Sequence, residues 1–157
     1  MPIKPSTDLV KQFAHTITTG QDDLDFALRQ KKVVVRIPAV TAASMPVELP
    51  LLTTDEAITI SSVTFIGDAD TVANNTDYDT LSVAAGDLVA GALGSAICSA
   101  DTRAASLNGP AKLVRKSIGS GLSSSVAASQ RLCLSVAKAG SGKDLSAGVI
   151  EITYKVQ

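Results

Sequence analysis

The clearest alternation of apolar and polar positions lies in the last quarter of the chain. Leu132, Leu134 and Val136 alternate with Arg131, Cys133, Ser135 and Ala137; further on, Ile150, Ile152, Tyr154 and Val156 alternate with Val149, Glu151, Thr153 and Lys155. Strand side chains point to opposite faces with period two, so each run buries its aliphatic row only against a second layer. The Gly/Ser/Asp segment between the runs predicts a β-hairpin with one solvated face. A lone hairpin is marginally stable in water, so the upstream chain must supply the covering layer.

Upstream, Val33–Val40 reads as the first strand, with Val33, Val35 and Ile37 on one face and Arg36 on the other. Pro38 removes a ladder donor and predicts an edge position or a strand end. Met45, Val47, Leu49 and Leu51 alternate with Pro46, Glu48 and Pro50, the pattern of an edge or bent strand protected against pairing with another chain. In Ala57–Ile66, Ile58 and Ile60 share a face while Val63 and Phe65 fall on the other. A bulge near Ser61-Ser62 or a bend between sheets reconciles them. Gly67–Asp77 is a turn-rich loop, Tyr78–Ala84 a strand, and Leu88–Ala100 an apolar, glycine-punctuated strand. Asp101–Leu107 suits one or two helical turns before the Asn108-Gly109-Pro110 break. Lys112–Ile118 is a short strand and Gly119–Ser129 a Gly/Ser loop.

About eight short strands separated by turn signals, with almost no helix, predict an all-β protein. The arrangement expected is a two-sheet jelly-roll sandwich of antiparallel strands over residues 33–157, preceded by an N-terminal arm over residues 1–32. In the arm, Pro2 and Pro5 discourage regular pairing. Within Gln21–Lys32 the order of charge, Asp22, Asp23 and Asp25 before Arg29, Lys31 and Lys32, suits a short helix. The same segment can equally be an arm that orders on a neighbour.

Composition narrows the function classes. Of 157 residues 45% are hydrophobic but only 3% aromatic, with no Trp, so the core is aliphatic and a sugar- or base-stacking platform is disfavoured. A net charge of -1 does not mark a binder of nucleic acid or membrane surface. Cys98 and Cys133 are too few for a disulfide framework and lack metal-site spacing; they read as small buried hydrophobes, with one disulfide as the alternative. No continuous apolar signal-peptide core opens the chain, and the run Leu88–Cys98 is too short to span a bilayer.

Candidate chemistry is sparse. His15 is the single histidine, so a multi-imidazole metal site and the usual nucleophile-activating triads lack their parts. Asp68, Asp70, Asp77 and Asp79 offer hard oxygen ligands for Ca²⁺, but their spacing is not that of an EF-hand, and Asp and Asn in turns commonly bond their own backbone. A glycosidase pair would need a cleft with sugar-stacking rings, and five aromatics make a poor supply. Gly140-Ser141-Gly142-Lys143 lacks the first glycine and the final Ser/Thr of a phosphate loop, positions held by Ala137 and Asp144. No catalytic residue, cofactor or metal is expected. Asn74-Asn75-Thr76 is a glycosylation sequon only in a secreted eukaryotic setting.

Three stretches together resemble a jelly-roll family of tailed-bacteriophage virion proteins, the capsid decoration or cement proteins, some of which serve as head-fibre bases. They are ISSVTFIGDAD (Ile60–Asp70), NNTDYDTLSV (Asn74–Val83) and SQRLCLSVAKAGSGKDLSAGVIEITYKV (Ser129–Val156), the last with K-x-G-x-G-x-x-L at Lys138–Leu145. The resemblance implies a homotrimer on the local three-fold sites of an icosahedral head, made in the host bacterial cytoplasm and carried on the virion surface. It also implies an N-terminal arm against the major capsid protein, with neither nucleic acid nor membrane as partner. Contact candidates on that basis are Lys4, Lys11, Phe13, Leu24, Phe26, Arg29 and Arg36, beside Glu48 and the Pro46/Pro50 edge. The alternative is a head-fibre or tail-associated module that binds a receptor or carbohydrate.

Overall fold

The computed structural model describes residues 30–88 and 91–157. They form eight strands: β1 (Gln30–Ile37), β2 (Val47–Thr54), β3 (Ile58–Gly67), β4 (Tyr78–Asp87), β5 (Leu93–Asp101), β6 (Arg115–Val126), β7 (Gln130–Ala139) and β8 (Gly148–Val156), with one 3-10 turn at Ala42–Ser44. The strands make two four-stranded antiparallel sheets in the orders β1-β8-β3-β6 and β2-β7-β4-β5. Two such facing sheets, with strands exchanged between them, are the jelly roll expected from the strand pattern.

The core lies between the sheets and is almost wholly aliphatic. Ile60, Val63, Phe65, Ile150 and Ile152 from one sheet face Leu81, Val83, Leu132, Leu134 and Val136 from the other, all with no exposed surface. Phe65 is the one aromatic ring among these fully buried side chains. The phase break in β3 is a bulge: ladder register slips between Ile60 and Ser62 against both neighbouring strands. The extra residue lets Ile58 and Ile60 face inward together with Val63 and Phe65. β1 and β2 are both edge strands; β1 stops before Pro38, and Pro46, Glu48 and Pro50 of the β2 region are exposed while Leu51 is buried.

Five expectations are corrected. The predicted terminal hairpin does not form, because β7 pairs with β2 and β4 whereas β8 pairs with β1 and β3. The two alternating rows do bury against each other, but as opposite walls of the core. Gly119–Ser129 is mostly strand: β6 runs on to Val126 and pairs with β3. Ser and Gly side chains carry no hydrophobic period, yet the ladder is made by the backbone, which they leave free to bond. The apolar strand is β5, beginning at Leu93 rather than Leu88. Asp101–Leu107 forms hydrogen-bonded turns without a helix, Ser106 N–H donating to Arg103 O (3.1 Å) and Leu107 N–H to Asp101 O (2.9 Å). Gln30–Lys32, the tail of the segment suited to a helix, belong to β1; the rest of that segment lies outside the described residues.

Cys98 and Cys133 are free thiols, so the disulfide alternative is not realised. Cys133 is buried, and Cys98 sits where burial pushes its thiol up to about 11. Both therefore act as small hydrophobes.

Replacing Phe65 with Ala should lower the unfolding free energy by about 3–5 kcal/mol, through lost transfer energy and the cavity left in an aliphatic core. Val34→Thr, on the solvent side of β1, should stay within about 0.5 kcal/mol of the parent. Urea denaturation of the two variants checks both.

Candidate functional site

Strand direction divides the connections into two groups. Segments 38–46, 68–77, 102–114 and 140–147 all emerge at one end of the sandwich, and the shorter 55–57, 88–92 and 127–129 at the other. Loops on a rigid scaffold are where binding surfaces are usually built. Here the four long loops are tied to one another by hydrogen bonds into a continuous cap.

The ties are specific. Val40 and Leu145 exchange backbone bonds of 2.9 and 2.8 Å, Ala42 N–H donates to Asp144 Oδ1 (2.8 Å), and Lys138 Nζ donates to Ala42 O (2.8 Å). Asp68 N–H donates to Ala147 O (2.8 Å), and Thr71 N–H to Pro110 O (2.8 Å). The carboxylates considered as calcium ligands serve here as clamps on three different segments. Asp68 is ion-paired with Arg36, Asp70 Oδ1 accepts Lys112 N–H (2.6 Å), Asp77 Oδ1 accepts Ser141 N–H (2.8 Å) and Asp79 Oδ1 accepts Lys143 N–H (3.0 Å). Among the described residues no group of three or more His, Cys, Asp or Glu is placed to hold a metal ion. Asn74 does bond its own turn, accepting the N–H groups of Thr76 and Asp77.

The Lys138–Leu145 motif owes its glycines to this clamp. Gly140 and Gly142 have φ of 62° and 68°, a region costly for residues with a Cβ. A Cβ at Gly140 would also stand 2.5 Å from Asp77 Oδ1, and one at Gly142 2.6 Å from Lys138 Cβ. The loop thus carries β7 out of one sheet and β8 into the other while lying on two carboxylates of β4 and its approach.

Asp79 is the unusual member. Its residue is fully buried, and Oδ2 has no hydrogen-bond partner. Burial pushes its carboxyl above the ordinary range, with nearby Asp144 adding to the rise; the Lys143 N–H bond and the Lys143 charge oppose it. Nearby, Arg103 donates to Asp101 Oδ2 (2.6 Å) and lies 4.5 Å from the centre of the Tyr78 ring. The hydrogen bond from Arg103 holds the Asp101 carboxyl below the usual range.

The surface of this end carries an apolar patch. Val72 is 79% exposed, Leu113 68% and Val114 47%. The loops that bear them are joined by the Thr71–Pro110 bond and by Leu113 N–H donating to Gly67 O (2.8 Å). Leu113 has φ of 58°, a left-handed conformation that costs a branched side chain about 1–3 kcal/mol. Buried Leu107 anchors the same loop in the core. The outer face of the β1-β8-β3-β6 sheet adjoins the patch. On that face Lys32 (2.9 Å) and Arg115 (3.1 Å) converge on Glu151, which lies opposite Val34.

Of the sequence-derived contact candidates, Arg36 is exposed on this outer face and paired with Asp68. Lys4, Lys11, Phe13, Leu24, Phe26 and Arg29 lie outside the described residues. Val72 lies in the turn-rich Gly67–Asp77 loop, where no period distinguishes exposed from buried; Leu113 and Val114 fall within the expected strand Lys112–Ile118, but β6 begins only at Arg115 and leaves both in the preceding loop.

No family model matches the chain, and no curated protein does. Among solved structures it is similar to a chain in the structure of infectious bursal disease virus Gx strain, with a TM-score of 0.32 and 12% identity, over 82% of this chain and 37% of that one. A chain from the Gt strain of the same virus gives 0.31 and 10%, over 80% and 32%. The chain thus spans about a third of the length of the viral chains it matches. Both likenesses are remote, and the fold assignment rests on the strand order.

Stability should depend on pH through Asp79. Its folded value is raised, so the native state binds more protons than the unfolded chain between the ordinary carboxylate value of 3.8 and the raised one. Its contribution is therefore full below 3.8 and is lost as pH rises through that window, at no more than about 1.4 kcal/mol per pH unit. Asp79→Asn keeps an acceptor for Lys143 N–H and removes the buried charge. The stability of the parent relative to this variant should fall as pH rises above 3.8, measured by urea denaturation of both across pH 3 to 8.

Proposed function

We propose that this chain is a structural virion protein that binds the outside of a phage head and stabilises the capsid lattice, as a decoration or cement protein does. The observation that carries the reading is the strand order β1-β8-β3-β6 over β2-β7-β4-β5. The three stretches whose sequence resembles that family supply its four central strands, β3, β4, β7 and β8, with the Lys138–Leu145 motif as the crossing between sheets. A rigid sandwich with a clamped, partly apolar loop end suits a protein whose work is binding.

Such a role needs no chemistry. A protein that binds the expanded shell, and not its disassembled subunits, stabilises the shell by mass action. Repetition of contacts over a homotrimer adds avidity, so each contact can be modest. The partner is the major capsid protein. The contacts assigned to it are the arm, with Lys4, Lys11, Phe13, Leu24, Phe26 and Arg29, together with the outer face near Arg36.

Co-sedimentation with expanded, undecorated phage heads, with susceptible cells as a second target, tests the reading. The expected result is saturable binding to heads and greater resistance of those heads to heat. Binding to cells and not to heads would transfer the chain to the receptor- or carbohydrate-binding class. Deleting Met1–Gly20 should abolish head binding and leave the thermal midpoint of the β domain unchanged; head binding at undiminished affinity would remove the arm from the contact.

A further inference from the structure

The short-turn end of the sandwich holds an open groove of about 320 Å³ between the two sheets, on the side where the edge strands β1 and β2 face each other. Its apolar walls are Leu52, Ile58, Tyr154 and Val156, and Asp55 and Glu56 lie at its acidic rim. Ile58 is buried, but Leu52, Tyr154 and Val156 pack on the core while remaining partly open. Lys31, next to the start of β1, also lines the groove. The chain therefore enters the described fold at the groove's edge.

The residues just before that entry are Phe26-Ala27-Leu28-Arg29. They offer two large apolar side chains, matching the walls, and a cation of opposite charge to Asp55 and Glu56. Four residues reach at most about 14 Å when extended, so Phe26 cannot stray far from the groove. So short a tether gives the segment a high effective concentration at a site on its own domain. We propose that this groove is the seat of Phe26–Arg29 of the same chain, with Phe26 filling the gap between the sheets and Arg29 facing the acidic rim. The seat belongs to the domain itself and does not depend on the capsid reading: with Phe26 and Arg29 held in the groove, the arm's contacts with a capsid are left to Lys4, Lys11, Phe13 and Leu24.

The chain has no tryptophan, so Phe26→Trp in the full-length protein introduces a single reporter. Its emission should be blue-shifted and shielded from acrylamide, equally at all protein concentrations. Adding Leu52→Asp, or separately Tyr154→Ser, should return the emission to that of solvated Trp; both positions are partly exposed, and circular dichroism verifies that each variant folds. Solvated emission from Phe26→Trp alone, or shielding that persists in both folded groove variants, would overturn the proposal. Shielding that appears only as protein concentration rises would also overturn it, placing a second copy's segment in the groove.

Discussion

The structure depends on one shared aliphatic layer that neither sheet can bury alone. Each sheet presents a row of Val, Ile and Leu on its inner face and a mixed polar face outward, so the two must close on each other. Of the connections between successive strands, only that from β4 to β5 stays within a sheet; every other one carries the chain across the core. Local pairing is thereby subordinated to the long-range layer. This is why the most regular pattern in the sequence, the two rows flanking Gly140–Ala147, forms opposite walls of the core instead of a hairpin.

The same crossing rule explains the loop end. Long connections must bridge two sheets and still satisfy their backbone polar groups, and they do so by bonding to one another and to aspartates in or beside the loops. Asp77 and Asp79 hold the Gly140–Lys143 turn, Asp70 holds Lys112, and Asp144 holds Ala42. An acidic cluster that could be read as a metal site thus works as fastening. Asp79 combines a buried, unpaired oxygen with one bond to the loop, so its fastening carries an electrostatic cost that varies with pH.

Strand positions with β-branched or leucine alternation were legible in the sequence: β1, β2, β3, β7 and β8 appear close to where Val, Ile and Leu alternate, and even the bulge at Ser61-Ser62 announced itself as a phase error. β6 did not, because Ser and Gly give no side-chain signal for a ladder made by backbone groups. Sheet partnership was illegible for another reason: period-two alternation says which face is buried and nothing about which strand lies alongside. The exposed patch at Val72, Leu113 and Val114 was equally hidden, since its exposure follows from the Gly67–Leu113 and Thr71–Pro110 bonds between loops far apart in sequence.

The pairing of Gln30 with Lys155 has a consequence for how the molecule is made. β1 borders β8 and no other strand, and nearly the whole described chain separates them. On a ribosome, β1 would leave the exit tunnel long before its ladder partner is synthesised, its Val33, Val35 and Ile37 uncovered throughout. Nascent chains with such distant partners fold slowly and are exposed to misassociation meanwhile. Completion of the first sheet thus has to wait for β8, whereas the β4–β5 hairpin can close as soon as it emerges.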